Sequence, residues 1–106
     1  MGLDIYAYAL EAGATEGEEI HYWRKHLALA EWCSKLAVER GDEAWNEPAQ
    51  SIELTSADLD RLMTAVRNRE LKADYGIDWM PDDLAFIEKA RAALAAGKTV
   101  EIFASW

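Results

Sequence analysis

The run from residue 21 to residue 26, HYWRKH, is the densest group of basic and aromatic side chains in the sequence. Helical spacing predicts that it lies on a long helix, where it could face an anionic ligand such as a nucleotide. The candidate ligand-binding residues are His21, Tyr22, Arg24 and Lys25. The simpler interpretation is that Trp23 packs in the core while Arg24 and Lys25 are solvated or paired with nearby glutamates.

Neither this run nor the lone cysteine predicts a metal or catalytic centre. His21 and His26 are five residues apart, which is about 140° around a helix, so they do not chelate a metal as an i, i+4 pair would. Cys33 is the only cysteine, and the pattern predicts a buried structural thiol. No nucleophile, phosphate-loop or paired-cysteine motif occurs, so we predict no catalytic residue, metal or cofactor.

Two acidic segments each carry a tryptophan and form the second candidate site. Tryptophan is enriched at interface hot spots, and carboxylates beside it favour docking to a basic protein surface. The residues of this predicted partner-binding surface are Asp42, Glu43, Trp45, Glu47, Asp78, Trp79, Asp82 and Asp83. Two alternatives stay open: the tryptophans fold back as lids over the core, and Asp82 and Asp83 stabilise a helix N-terminus. A carboxylate pair for hydrolysis or a divalent ion is disfavoured, because the spacing matches no template.

The elements that must position these residues begin with a strand and a helix. Residues 3–10 alternate with a period of two and predict a strand, covered on both sides because both faces are largely apolar. Residues 16–40 predict one long helix, with Ile20, Trp23, Leu27, Ala30, Ser34 and Val38 on one stripe. A second apolar set on its opposite side, which includes Tyr22, Trp32 and Cys33, predicts packing against another helix or another chain.

The second half of the chain has clearer start and stop signals. A short strand is predicted over 51–55, followed by a helix from Ala57 to about Arg69 that Thr55 or Ser56 caps. Residues 68–80 are predicted to be irregular, and Pro81 opens a last helix that ends at Gly97. A final strand over 98–104 completes a β-α-β-α-α-β order.

The prediction is one α+β domain over residues 1–106, in which one long and two shorter helices pack on one face of a three-stranded sheet. Its free edge or face would suit self-association.

Charge and composition limit the classes of partner. The 106 residues carry a net charge of −9, and residues 41–83 hold 11 acidic and 4 basic side chains. An acidic chain disfavours direct binding to nucleic acid, which depends on neutralising phosphates. The longest apolar runs are shorter than the roughly 20 residues that a membrane span needs. Because no basic leader precedes the first apolar stretch, we expect a cytoplasmic protein that is not bound to a membrane.

Three segments resemble a family of small proteins of bacteriophages and prophages whose activity is unassigned. They are the opening Met1-Gly2-Leu3-Asp4-Ile5-Tyr6, the stretch Glu19-Ile20-His21-Tyr22-Trp23-Arg24-Lys25, and the closing Ala104-Ser105-Trp106. The resemblance implies a bacterial host cell as the setting and brings no catalytic residues with it.

Small acidic phage proteins that inhibit host immunity, anti-CRISPR proteins among them, fit this general description. The leading hypothesis is a stoichiometric inhibitor, not an enzyme, that covers the basic surface of a host defence complex such as CRISPR-Cas. The alternatives are a small-molecule or nucleotide binding protein or enzyme that uses the 21–25 run, and a structural homo-oligomer.

Overall fold

Four strands of the chain form a single antiparallel sheet in the computed structural model, which describes residues 3–41, 51–71 and 77–105. The strands are β1 (Asp4–Leu10), β2 (Glu18–Arg24), β3 (Ser51–Leu54) and β4 (Thr99–Ser105), and the helices are α1 (Leu27–Glu39), α2 (Ser56–Arg67) and α3 (Met80–Ala95). The sheet order is β2-β1-β4-β3. The α+β class is confirmed, whereas the predicted three-stranded sheet is wrong by one strand.

The extra strand comes from the first half of the predicted long helix over residues 16–40. Burial alternates at the end of this strand, where Trp23 points into the core while Tyr22 and Arg24 point out of it, which is the period of a strand. A tight turn makes the hairpin possible: the N–H of Ala14 donates to the carbonyl of Glu11 at 2.9 Å, and Gly13 supplies the positive φ of 79°. The β-α-β-α-α-β order is therefore corrected to β-β-α-β-α-α-β.

Helix α1 buries a different stripe from the one predicted. Its buried residues are Leu29, Ala30, Cys33, Leu36 and Ala37, whereas Leu27 and Val38 are exposed. The predicted stripe joined residues of β2 to residues of α1. Because the turn at Lys25 separates the two elements, the 3.6-residue spacing does not place these residues on one helix face. The second apolar set supplies most of the buried face instead, since Leu29, Cys33 and Leu36 are buried while Leu27 and Val38 of the first stripe are exposed, so α1 does not bury two opposite sides as the homo-oligomer hypothesis assumed.

The start of α2 follows the predicted capping signal. Thr55 is the N-cap, its hydroxyl accepts a hydrogen bond from the Asp58 N–H at 3.2 Å, and the Asp58 carboxylate accepts one from the Thr55 N–H at 2.8 Å. Arg40, at the end of α1, pairs with the same carboxylate and donates to the Glu53 carbonyl at 2.6 Å. Burial alone would raise the pKa of Asp58, but the hydrogen bonds from Thr55 and Arg40 outweigh it and lower that pKa. This contact ties α1, β3 and α2 together.

One hydrophobic core lies between the helices and one face of the sheet. The inward side chains of the strands, among them Ile5, Ala7, Trp23, Ile102 and Leu54, join the buried residues of all three helices in one cluster. The described helices therefore cover a single face. On the opposite face of β1, Tyr6 and Tyr8 are half-buried without a described helix over them, so coverage of this strand on both sides stays a prediction. Of these helices, none has the length and apolar character needed to cross a bilayer.

Candidate functional site

The sheet face that points away from the described helices carries a continuous row of aromatic rings, and we call this face the outer face. Register places Tyr22, Tyr6 and Phe103 side by side across β2, β1 and β4. The ring of Tyr6 lies 5.2 Å from that of Tyr22, 6.3 Å from that of Phe103 and 6.3 Å from that of Tyr8. These rings are half-buried or exposed, with Tyr22 at 44% exposure, so they stabilise one another while staying open to a partner.

Carboxylates surround these rings on the same face. Glu101 and Glu19 lie opposite Tyr8 from its two neighbouring strands, and Glu53 lies directly opposite Glu101. Asp4 accepts a hydrogen bond of 2.6 Å from the Tyr22 hydroxyl. Among the described strand residues, Arg24, opposite Asp4, is the one basic side chain that register places on the outer face. The face is therefore aromatic and acidic together.

The pKa values of two phenols on the outer face are raised above the usual value, so both phenols stay neutral over a wider pH range. The pKa of Tyr22 is raised first by its hydrogen bond to Asp4, then by loss of solvent. Partial burial raises the pKa of Tyr8, and the negative charge of Glu19 raises it further. A neutral phenol presents an intact π face, which attracts cations.

A cleft of about 390 Å³ opens at one end of the outer face. Its floor includes Tyr8, Phe103 and Glu101 of the sheet, and the β1–β2 loop closes one side with Thr15 and Glu16. The loop lies this close because Gly17 has no side chain. A Cβ at that position would lie 2.6 Å from the Ala9 carbonyl oxygen and 2.7 Å from Leu10 Cγ.

A second cleft, of about 280 Å³, lies between α1 and α2 beside Trp32. Two of its charged groups are paired with each other, since Arg61 Nη2 lies 2.9 Å from Glu39 Oε2. Neither cleft is lined by His21, Tyr22, Arg24 or Lys25, the residues predicted to bind an anion.

Those four residues do not form one surface. They lie on β2 and the turn after it instead of on a helix, so His21 faces α3 while Tyr22 and Arg24 face outward. Lys25 adopts a left-handed backbone with φ of 63°, and its N–H donates to the Leu3 carbonyl at 2.6 Å. That turn directs the next residue, His26, into the core.

His26 and Asp83 form a buried polar cluster with two tryptophans. Both oxygens of Asp83 lie 3.0 Å from His26 Nε2, and Trp23 Nε1 donates to Asp83 Oδ1 at 3.1 Å. The Trp79 ring stacks on His26 at 4.8 Å and 14°. His26 is 0% exposed and Asp83 2%, so no solvent-borne substrate reaches the pair. The cluster is a structural anchor between β2 and α3.

This arrangement alters the predicted acidic partner-binding surface. Asp83 is buried, so it cannot contact a partner in the folded chain. Besides lying in the first turn of α3, its carboxylate bonds to Trp23 and His26. Trp79 is half-buried against the core, as the lid alternative predicted, whereas Asp78 and Asp82 are exposed. Asp42, Glu43, Trp45 and Glu47 lie outside the described residues, so their role stays a prediction.

Cys33 and the carboxylates show no reactive arrangement in the described ranges. Burial raises the pKa of the Cys33 thiol, which keeps it protonated and unreactive. Among the described residues, no three His, Cys, Asp or Glu side chains gather into a group that could hold a metal ion.

His21 gives the fold a specific pH dependence. Its ring Nδ1 lies 3.4 Å from Lys89 Nζ, and its Nε2 lies 3.4 Å from Asp82 Oδ1. Burial and then the Lys89 charge lower the pKa of His21, against the opposing effects of Asp82 and Asp83. The folded state therefore releases this proton more readily than the unfolded state, whose histidine pKa is about 6.5. The stabilisation is complete above that value and is lost as the pH falls from it through the folded pKa.

We therefore expect the melting temperature of the wild type to fall more between neutral pH and about pH 5 than that of a His21→Gln variant. Thermal unfolding followed by circular dichroism at several pH values measures this difference. His26 is present in both proteins, so it does not contribute to the difference between their melting temperatures. Parallel pH profiles of the two proteins would contradict the expectation.

Sequence reasoning missed the outer face, although part of its signal was visible. Tyr6 and Tyr8 share one parity of β1, which marks them as neighbours on one face of a strand. Their association with Tyr22, Phe103 and Glu101 depends on strand order and register, which no local pattern gives.

No protein-family model, curated protein or solved structure matches this chain.

Proposed function

We propose that this protein acts by binding, and that its outer face takes a basic, arginine-bearing segment of a partner protein. The observation that carries the proposal is the joint presence of four contacting aromatic rings and several carboxylates on a sheet face that no described helix covers. Aromatic faces attract cations, and carboxylates form charge-assisted hydrogen bonds with guanidinium groups. An arginine side chain uses both contacts at once.

The charges on the outer face support a cationic partner. Glu53 and Glu101 are directly opposite each other on β3 and β4, an arrangement in which like charges repel. No ion pair of either side chain is formed with the described residues. A bound cation would relieve this repulsion, so its binding is favoured beyond the contacts that it makes.

The same charges argue against two other occupants. Exposed aromatic rows on sheets also stack nucleic-acid bases, but such sites need basic side chains for the phosphates, and here carboxylates occupy those positions. A second copy of the chain would bring one acidic face against another. Both occupants would meet repulsion, while a basic segment would not.

The hypothesis of a stoichiometric inhibitor that covers a basic surface of a host defence complex is compatible with this proposal. The outer face supplies aromatic anchors and negative charge, the two features that the hypothesis requires. The identity of the partner, its phage setting and the contribution of the Trp45 segment stay predictions.

Calorimetric titration with an arginine-rich peptide tests the proposal, with a matched peptide in which neutral citrulline replaces every arginine. The variant Glu19→Gln/Glu53→Gln/Glu101→Gln removes three charges from the outer face. We expect it to weaken binding of the arginine peptide about tenfold or more, and we expect affinity to fall with added salt. The citrulline peptide should not bind.

The control variant Glu31→Gln/Glu39→Gln/Glu88→Gln has the same net charge, but its substitutions lie at exposed positions of α1 and α3. It should bind the arginine peptide nearly as the wild type does. Equal weakening by the two variants would mean that only the overall charge matters, and equal binding of the citrulline peptide would mean that no cation is recognised. Either result overturns the proposal.

A further inference from the structure

We infer that the cleft on the outer face is a binding site for a single guanidinium group, the arginine-specific position within the basic segment. This inference rests on the proposed function for the source of the arginine.

The cleft has a shape suited to one side chain. At about 390 Å³ it lies at the small end of the range for ligand pockets, and it is open toward the rest of the outer face. A segment lying along the aromatic row could therefore insert one residue without leaving the face. The close packing of Gly17 against β1 fixes the loop that closes the cleft.

The walls of the cleft offer both contacts that a guanidinium uses. Tyr8 and Phe103 supply flat apolar surfaces, on which a planar cation can stack. Glu16 lines the cleft from the loop and Glu101 from the sheet, so acidic residues lie on two sides of the space. Lysine would gain the charge contacts but would lack the planar stacking and the bidentate geometry.

Glu101 is oriented in advance. The Ser51 hydroxyl, which also lines the cleft, donates to Glu101 Oε1 at 2.8 Å. That bond fixes the carboxylate while leaving acceptor capacity on its oxygens, since an ionised carboxylate accepts about four hydrogen bonds. Among the described residues, no lysine or arginine lines the cleft, and neither Glu16 nor Glu101 forms an ion pair. A cationic ligand would supply the positive charge that these carboxylates favour.

The test is a titration with N-acetyl-arginine amide, followed by the backbone amide NMR signals of the ¹⁵N-labelled protein. We expect signals of the β1–β2 loop and of residues 101–103 to move. Signals should not move with N-acetyl-citrulline amide, which has nearly the same shape and no charge. Glu16→Gln should weaken the binding about fivefold, because it removes one of the two carboxylates.

The matched control is Glu88→Gln, which removes the same charge at an exposed position of α3 that lines neither cleft. It should change the affinity for N-acetyl-arginine amide less than about twofold. Phe103→Leu keeps an apolar side chain in the cleft but removes the ring, and we expect it to weaken binding as Glu16→Gln does.

The outcomes separate this inference from the proposed function. Signal changes that are absent, that map elsewhere, or that citrulline amide reproduces would overturn the cleft as a guanidinium site. If the arginine peptide binds to the Glu16→Gln variant as tightly as to the wild type, the cleft inference fails and the proposed function stands. If no peptide binds while N-acetyl-arginine amide still occupies the cleft, the proposed function fails and the site stands.

Discussion

An Asp83→Ala variant is expected to unfold with a free energy about 2–5 kcal/mol below that of the wild type. The substitution removes the acceptor for Trp23 Nε1 and for His26 Nε2, and both donors are in the core. A buried donor that loses its partner costs about 1–3 kcal/mol, and here two donors lose one together. Urea unfolding followed by far-ultraviolet circular dichroism measures the difference.

The neighbouring Asp82→Ala variant is the matched control. Asp82 also lies in the first turn of α3, so both variants lose the same favourable interaction with the helix dipole, about 0.3–1 kcal/mol. Its side chain is half exposed, with one contact to His21 at 3.4 Å. Similar losses in the two variants would show that Asp83 contributes only as a first-turn acid, contrary to the buried cluster.

Asp83→Asn separates the loss of hydrogen bonds from the loss of volume. The amide oxygen can still accept from Trp23, and the amide N–H₂ can donate to His26 if the imidazole proton moves to Nδ1. Nδ1 has no hydrogen-bond partner among the described residues, so this tautomer breaks no existing bond. We expect Asp83→Asn to cost less than Asp83→Ala.

The parts of the fold that could be predicted are those with local signals. The capping residues at Thr55 and Asp58, the proline at the start of α3 and the alternation in β1 and β4 act within a few residues of themselves. These local interactions form whatever the order of the strands in the sheet. The corresponding elements lie within one or two residues of their predicted positions.

The parts that could not be predicted depend on contacts between distant segments. Residues 22–24 alternate as in a strand, whereas residues 18–24 joined to those after them fit a period near 3.6, so the sequence alone does not decide between strand and helix. In the folded chain, hydrogen bonding of residues 18–24 to β1 selects the strand. Residues whose roles are long-range were missed for the same reason: Asp83 meets Trp23 across 60 residues, and Phe103 meets Tyr6 only through the β1–β4 register.

Both faces of the sheet depend on the position of β2. On its inner side Trp23 bonds to Asp83, and on its outer side Tyr22 extends the aromatic row to the sheet edge. Because side chains of a strand alternate, a shift of one residue in the β1–β2 register would expose Trp23 and bury Tyr22. The buried cluster therefore keeps the outer face in register, although none of its members touches that face.

Truncating Trp23 to alanine is expected to cost about 3–5 kcal/mol, which is the range for large aromatic side chains in a core. Trp23 is 1% exposed, packs edge-to-face on Phe86 with ring centroids 4.9 Å apart, and donates to Asp83. Trp32→Ala in α1 makes the same change of residue type at a half-buried position and should cost clearly less. Urea unfolding of both variants measures this contrast.

The double variant Trp23→Ala/Asp83→Ala tests whether the two residues act as one unit. After Asp83→Ala, Trp23 Nε1 is a buried donor without its acceptor, and removing the ring then also removes that cost. The double variant should therefore lose less stability than the sum of the two single losses, by about 0.5–3 kcal/mol. Strict additivity would mean that Trp23 contributes through packing on Phe86 alone, and that the register of β2 depends on hydrophobic contacts instead of on its bond to α3.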